Sequence, residues 1–161
     1  MSNEYYKIRP QIAVDWYKKG VASRDAMEKF IELWISFNAL YCKIEESNDY
    51  KQIKAFIAEQ GEEKYRSTLE ATDFFNHRLI KNLHPRKNQA KDTTLEMEIL
   101  NSQTRSDIEK LQNLFICIYR ARCNLFHGDK LPYDYNDLLI ASESAKVLEH
   151  YLAIYFNAEV K

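Results

Sequence analysis

Residues 106–128, SDIEKLQNLFICIYRARCNLFHG, decide the fold of this chain. Ser106 followed three residues later by Glu109 is a capping box, in which hydroxyl and carboxylate satisfy orphan amides reciprocally and open a helix. From Leu114 to Tyr119 the segment is almost entirely apolar, so the helix is expected to be buried on several sides. Gly128 is the natural stop, because glycine alone adopts the left-handed cap conformation without a steric penalty. A helix covered all round needs other helices to cover it, and the flanking sequence supplies them.

Upstream, residues 23–46 read SRDAMEKFIELWISFNALYCKIEE, with Met27, Phe30, Ile31, Trp34, Phe37, Leu40, Tyr41 and Ile44 recurring at three- and four-residue intervals. This spacing predicts a long amphipathic helix with Ser23 as its N-cap and Asp25 favoured by the helix dipole. Asn38 sits among its large apolar side chains and, if buried, requires hydrogen-bond partners. A shorter helix is expected over Asp49 to Gln60, closed by Gly61, and another over residues 62–83, ending before the His84–Pro85 step. Residues 85–94 read as a connecting loop. Leu95, Met97 and Ile99 alternate like a strand, yet Leu100 and the intervening glutamates suit a helical turn equally well. Downstream, Tyr135 to Phe156 carries a helical apolar face. A short N-terminal helix around Gln11 to Lys19 is expected to pack outside the bundle.

Composition agrees with this pattern. Three Gly and three Pro in 161 residues leave little material for tight turns, and 45% hydrophobic with 29% charged residues is ordinary for a globular chain. The expected fold class is all-α: an antiparallel bundle of four to six helices in a single domain spanning 1–161, with its core over 23–156. No stretch is long and apolar enough for a membrane span, and the N-terminus has no apolar signal core. Cys42, Cys117 and Cys123 form an odd set without metal-ligand or disulfide spacing. A cytoplasmic location is therefore expected, with no cofactor and no metal. The net charge of −1 gives no global attraction to nucleic acid, so anion binding must arise from local clusters.

One such cluster is Arg120, Arg122, Asn124, His127 and Lys130, at the end of the apolar helix. At about 100° per residue, Arg120, Asn124 and His127 share a face, whereas Arg122 lies about 140° from His127. A loosened terminus or a second copy across an interface is needed to bring Arg122 and His127 to one point. Structural alternatives exist for each: His127 as a helix-terminal histidine favoured by the dipole, Arg122 as a solvated or ion-paired arginine, and Arg120 as an ordinary charge on the polar face. Cys123 and His127, four apart, also invite a thiolate or metal reading, but no further ligands have suitable spacing. A second basic run, five Lys or Arg and no acid between His77 and Lys91, is either a solvated loop or a grip for a phosphodiester chain. The aromatics Trp34, Phe37 and Tyr41 read as core and not as a base-stacking platform. His77, His84 and His150 have no partner that the sequence identifies.

The segment RCNLFHGDK (122–130), an Arg-x4-His followed by Gly, resembles the signature of the HEPN superfamily, the higher eukaryotes and prokaryotes nucleotide-binding domain. WISFNALY (34–41) is similar to the first long helix of many bacterial members. The resemblance covers residues 23 to 156. It implies a helical bundle that dimerises so that two Arg/His motifs face each other, and, in many members, a metal-independent endoribonuclease acting as a toxin or in phage defence. On that analogy Arg122 and His127 are the catalytic pair. The side chains themselves suit Asn124 to orienting the ring or the phosphate, Arg120 and Lys130 to holding the strand, and Asn38 to bracing the Arg/His helix. The family often has a polar residue directly after the arginine; here that position is Cys123, with Asn124 next. RNA, a second copy of the chain and a cognate antitoxin are the implied partners. The competing expectation is a non-catalytic helical module that dimerises or binds a partner protein or nucleotide.

The implied chemistry suits the side chains. RNA carries its own nucleophile in the 2′-hydroxyl, so a protein must move protons and stabilise charge on the phosphorane. Imidazole titrates near neutrality and can do the first, while guanidinium matches phosphate oxygens with a planar fork of donors.

Overall fold

The computed structural model describes residues 3–71, 93–125 and 134–158. Among these, six α-helices and one 3-10 helix form an all-α bundle: α1 (Asn3–Ala22), α2 (Ala26–Tyr41), α3 (Asp49–Gln60), the 3-10 helix (Glu63–Glu70), α4 (Thr94–Asn101), α5 (Asp107–Leu125) and α6 (Tyr135–Tyr155). Among the described residues, no helix is long and apolar enough to cross a membrane.

Helix α5 begins as its capping box requires. The Ser106 amide donates to Glu109 Oε2 at 3.2 Å, and the Glu109 amide donates to Ser106 Oγ at 3.3 Å. A third orphan amide, that of Ile108, donates at 2.8 Å to Glu62 from the start of the 3-10 helix. Arg66 then bridges Glu62 and Asp107, so the N-terminus of α5 is tied to a segment more than 40 residues away in sequence. Leu111 and every residue from Asn113 to Ile118 are buried, as the apolar run of α5 demands.

Two layers meet on α5. Helices α3 and α4 pack against it directly, while α2 packs between α1 and α6. An aromatic seam joins the layers. Phe37 of α2 lies 4.9 Å from Phe115 of α5, 5.7 Å from Phe56 of α3 and 6.3 Å from Tyr151 of α6, measured between ring centroids. Such tilted and edge-on pairs add to the gain from burying apolar area.

Several boundaries differ from the sequence expectation. Helix α2 is capped by Asp25, whose carboxylate accepts from the Glu28 amide at 2.9 Å, and not by Ser23. The Ser23 amide turns back to the carbonyls of Lys19 and Gly20, closing α1 instead. Helix α2 also stops at Tyr41, short of Glu46. Gln52 of α3 donates to the carbonyls of Cys42 and Ile44, replacing the helical bonds those groups lose. The segment around Leu95 to Leu100, whose pattern suits strand and helical turn alike, is helix α4. The expected helix from residue 62 begins as a 3-10 helix, whose three-residue repeat turns both Tyr65 and Thr68 inward. Its continuation to residue 83, the loop to 92 and the expected stop at Gly128 lie outside the described residues.

The N-terminal helix is the largest correction. It runs 20 residues, passes through Pro10, and packs intimately on α2 instead of lying outside the bundle. Small residues make this possible: Ala13 and Gly20 are buried, and the Ser36 hydroxyl of α2 donates to the Ala13 carbonyl at 2.6 Å. A methyl at Gly20 would stand 2.7 Å from Cγ and Cδ2 of Leu33 and 3.1 Å from its backbone nitrogen. Because Leu33 is itself fully buried, Gly20→Ala is expected to destabilise the chain by about 1–3 kcal/mol, the usual cost of overpacking. Urea unfolding measures this, and a Gly20→Ala variant as stable as the parent would show that the α1–α2 contact can open to admit a methyl group.

Candidate functional site

The segment of α5 that ends at Leu125 remains a regular α-helix, and this fixes the relative directions of its polar side chains. Tyr119, Arg122 and Cys123, at i, i+3 and i+4, share one face; Arg120 and Asn124, about 40° apart, share the opposite one.

The first face meets α2. Trp34 lies between two tyrosines, stacked on Tyr119 at 6.2 Å and edge-on to Tyr41 at 5.9 Å. The apolar seam between α2 and α5 thus terminates in two phenol rings with polar tips. Burial pushes the Tyr41 hydroxyl well above its ordinary pKa; a side-chain hydrogen bond with Asn38 opposes this, Asp49 at the start of α3 adds to it, and the Arg122 guanidinium opposes it. Tyr119 is pushed up to about 12, chiefly by burial and by its hydrogen-bonded neighbour Cys123, with Asp49 reinforcing and Arg122 opposing the shift. The Arg122 guanidinium thus favours the ionised form of both phenols, and Asn38 that of Tyr41. Both hydroxyls stay protonated at neutral pH, which makes them hydrogen-bond donors and not bases.

On the second face, Arg120 is bound to Glu96 of α4, donating to the same carboxylate oxygen through Nη2 at 2.6 Å and Nε at 3.2 Å. Their side chains are 16% and 3% exposed, so this is a buried ion pair. The ordinary charge on the polar face expected as the structural alternative for Arg120 does not describe this contact. Asn124 is half-buried on the same side. Cys117 sits in the protein core beside this pair, and burial, with Glu96 adding to it, pushes its thiol far above the ordinary range.

Of the expected site residues, Arg122 shares the Tyr119 face of α5 and Asn38 lies on α2, the helix that this face meets, while Arg120 and Asn124 project from the other side of α5. His127 and Lys130 lie outside the described residues, as do His77, His84 and the basic run. His150 is elsewhere, its Nε2 2.8 Å from Ser67 Oγ, and burial lowers its pKa below the ordinary imidazole value. Among the described residues, no three His, Cys, Asp or Glu side chains are grouped so as to hold a metal ion.

Sequence reasoning overlooked Tyr41, Tyr119, Asp49 and Glu96. For the tyrosines a signal was present: Tyr41 stands three residues after Asn38 and Tyr119 three before Arg122, so each shares a helical face with a polar residue already singled out. Glu96 and Asp49 depend on contacts between helices and have no local signature. No family model matches the chain, and no match is found among curated proteins or solved structures.

Proposed function

We propose that this chain is a metal-independent endoribonuclease of the HEPN type, working as a homodimer with Arg122 and His127 as its reacting pair. One observation supports it above the others: Trp34 of the WISFNALY segment stacks at 6.2 Å on Tyr119, which stands three residues before Arg122 on the same helix. The described part of the RCNLFHGDK segment, residues 122–125, continues the helix that packs on the WISFNALY segment, though the two are far apart in sequence.

In the proposed reaction an imidazole removes the proton of a ribose 2′-hydroxyl, and the resulting oxygen attacks the adjacent phosphorus. The bond from phosphorus to the 5′-oxygen breaks, and a second imidazole or the same one returns a proton to the leaving oxygen. Arg122 neutralises the charge that grows on the phosphorane oxygens, which a guanidinium does without changing its own protonation state. Asn124 and Lys130 hold the strand. Because α5 is regular through Leu125, Arg122 points away from the helical face of Arg120 and Asn124, the face that a straight helix would give to His127. A twofold dimer supplies the missing convergence by setting Arg122 of one protomer toward the motif of its partner. A role as a toxin or in phage defence, held in check by an antitoxin protein, fits such an activity.

Incubating the purified chain with single-stranded and structured RNA in EDTA tests this. Cleavage is expected, and His127→Ala abolishes it. His150→Ala, which removes the contact to Ser67, leaves it unchanged; a large loss there would mean that the reacting centre is elsewhere. RNA left intact across the panel would make the chain a non-catalytic dimerisation or nucleotide-binding module.

A further inference from the structure

Helix α5 must present Arg122 at a fixed rotation about its own axis, and the Tyr41–Tyr119 face controls that rotation from one side alone. On the far side, about 160° around the helix from Arg122, lies Arg120 with its ion pair to Glu96. We propose that Glu96 is a positioning residue: by gripping Arg120 from α4, it sets the rotation and depth of the last turns of α5 and so places Arg122 for reaction. The proposal rests on the ribonuclease reading for its catalytic consequence and on the helix geometry for its structural one.

Three observations carry it. Glu96 is almost wholly buried, and its Oε2 has no hydrogen bond among the described residues, so the carboxylate's burial is offset chiefly by one guanidinium. Both Arg120 donors converge on Oε1, a geometry that fixes the guanidinium's direction more tightly than a single bond. Arg120 is two residues from Arg122 on a continuous helix, so any slip of one moves the other. Buried ion pairs contribute little net stability compared with apolar packing; in this proposal the role of the Arg120–Glu96 pair is to select one geometry for the end of α5.

Glu96→Ala, Glu96→Gln and the parent are compared in RNA cleavage with their folded fractions matched by circular dichroism. A displacement of Arg122 by about 1 Å lowers kcat on the order of 10²-fold, and KM stays unchanged because Arg120 does not bind the strand. Glu96→Gln keeps an oxygen that accepts both Arg120 donors and recovers most of the rate. A raised KM with kcat preserved would overturn the proposal, since it would make Arg120 an RNA ligand. If Glu96→Ala fails to fold, Glu96→Asp takes its place: its carboxylate is withdrawn by one methylene, a smaller kcat loss at constant KM is expected, and an unaltered kcat overturns the proposal.

A parent without activity would end the ribonuclease reading and leave this inference to a second readout in the same proteins. Amide exchange over Ala121–Leu125 is expected to be at least about tenfold faster in Glu96→Ala, or in Glu96→Asp, with Leu111–Ile116 unchanged. Equal protection in parent and variant, or a uniform loss along α5, would show that Glu96 does not govern the end of the helix.

Discussion

Arg122→Ala is expected to lower RNA cleavage by on the order of 10³-fold, the cost of deleting a charged donor aimed at a developing oxyanion. The fold should survive the change. Arg122 is half-buried, and most of the large buried apolar side chains of α5 lie earlier in the helix, between Leu111 and Ile118, with Leu125 at its end. Arg122→Lys should recover little of the rate, because an ammonium retains the charge but loses the planar fork that matches two phosphate oxygens. Single-turnover cleavage in EDTA, with unfolding curves on the same preparations, separates the chemical loss from any structural one. Activity within a few-fold of the parent would remove Arg122 from the reaction.

Phe37→Ala should cost about 3–5 kcal/mol of stability, more than the overpacking at Gly20. Phe37 is fully buried and its ring contacts aromatic rings from four helices: Trp34 and Tyr41 on its own helix, Phe56 on α3, Phe115 on α5 and Tyr151 on α6. Truncation opens a void that rigid rings cannot easily fill. Since a domain of this size has roughly 5–15 kcal/mol of stability in total, the variant should be close to unfolding at physiological temperature. Equilibrium urea denaturation reads the loss, and a value below about 1 kcal/mol would mean that the seam between α2 and α5 can close over the gap.

The helical class was legible in residues 106–125 because capping box, apolar run and period all point the same way, and the Ser106–Glu109 bonds form as that pattern requires. Asp49 to Gln60 was equally plain, with Gly61 adopting the positive φ of 80° that ends α3. Where two caps compete, local rules were insufficient. Ser23 and Asp25 both suit an N-cap, and Asp25 takes the position because the Ser23 amide is drawn back into the end of α1. The extent of α1 was hidden for another reason. Proline marks a first turn in isolation, but the close approach of Ala13 and Gly20 to α2 stabilises a helix that continues through Pro10.

The candidate site was half legible. Arg122 and Asn38 stood out as polar residues within apolar helices, and simple helical arithmetic separated Arg122 from Arg120 and Asn124. That Arg120 would be met by a buried carboxylate could not be foreseen, because the Glu96 segment reads as strand or helix with equal ease and only its docking against α5 decides the matter. The rings of Tyr41 and Tyr119 read as core; Tyr41 is buried in it, and Tyr119 packs against it half-buried. Their hydroxyls carry the raised pKa values that the Arg122 guanidinium opposes.

The most direct test of the central claim is the chemistry of the ends left on RNA cut by this protein in EDTA. Transesterification by the 2′-hydroxyl predicts a 2′,3′-cyclic phosphate on one fragment and a 5′-hydroxyl on the other. Fragments bearing a 3′-hydroxyl and a 5′-phosphate, or cleavage that begins only when a divalent metal is restored, would contradict it.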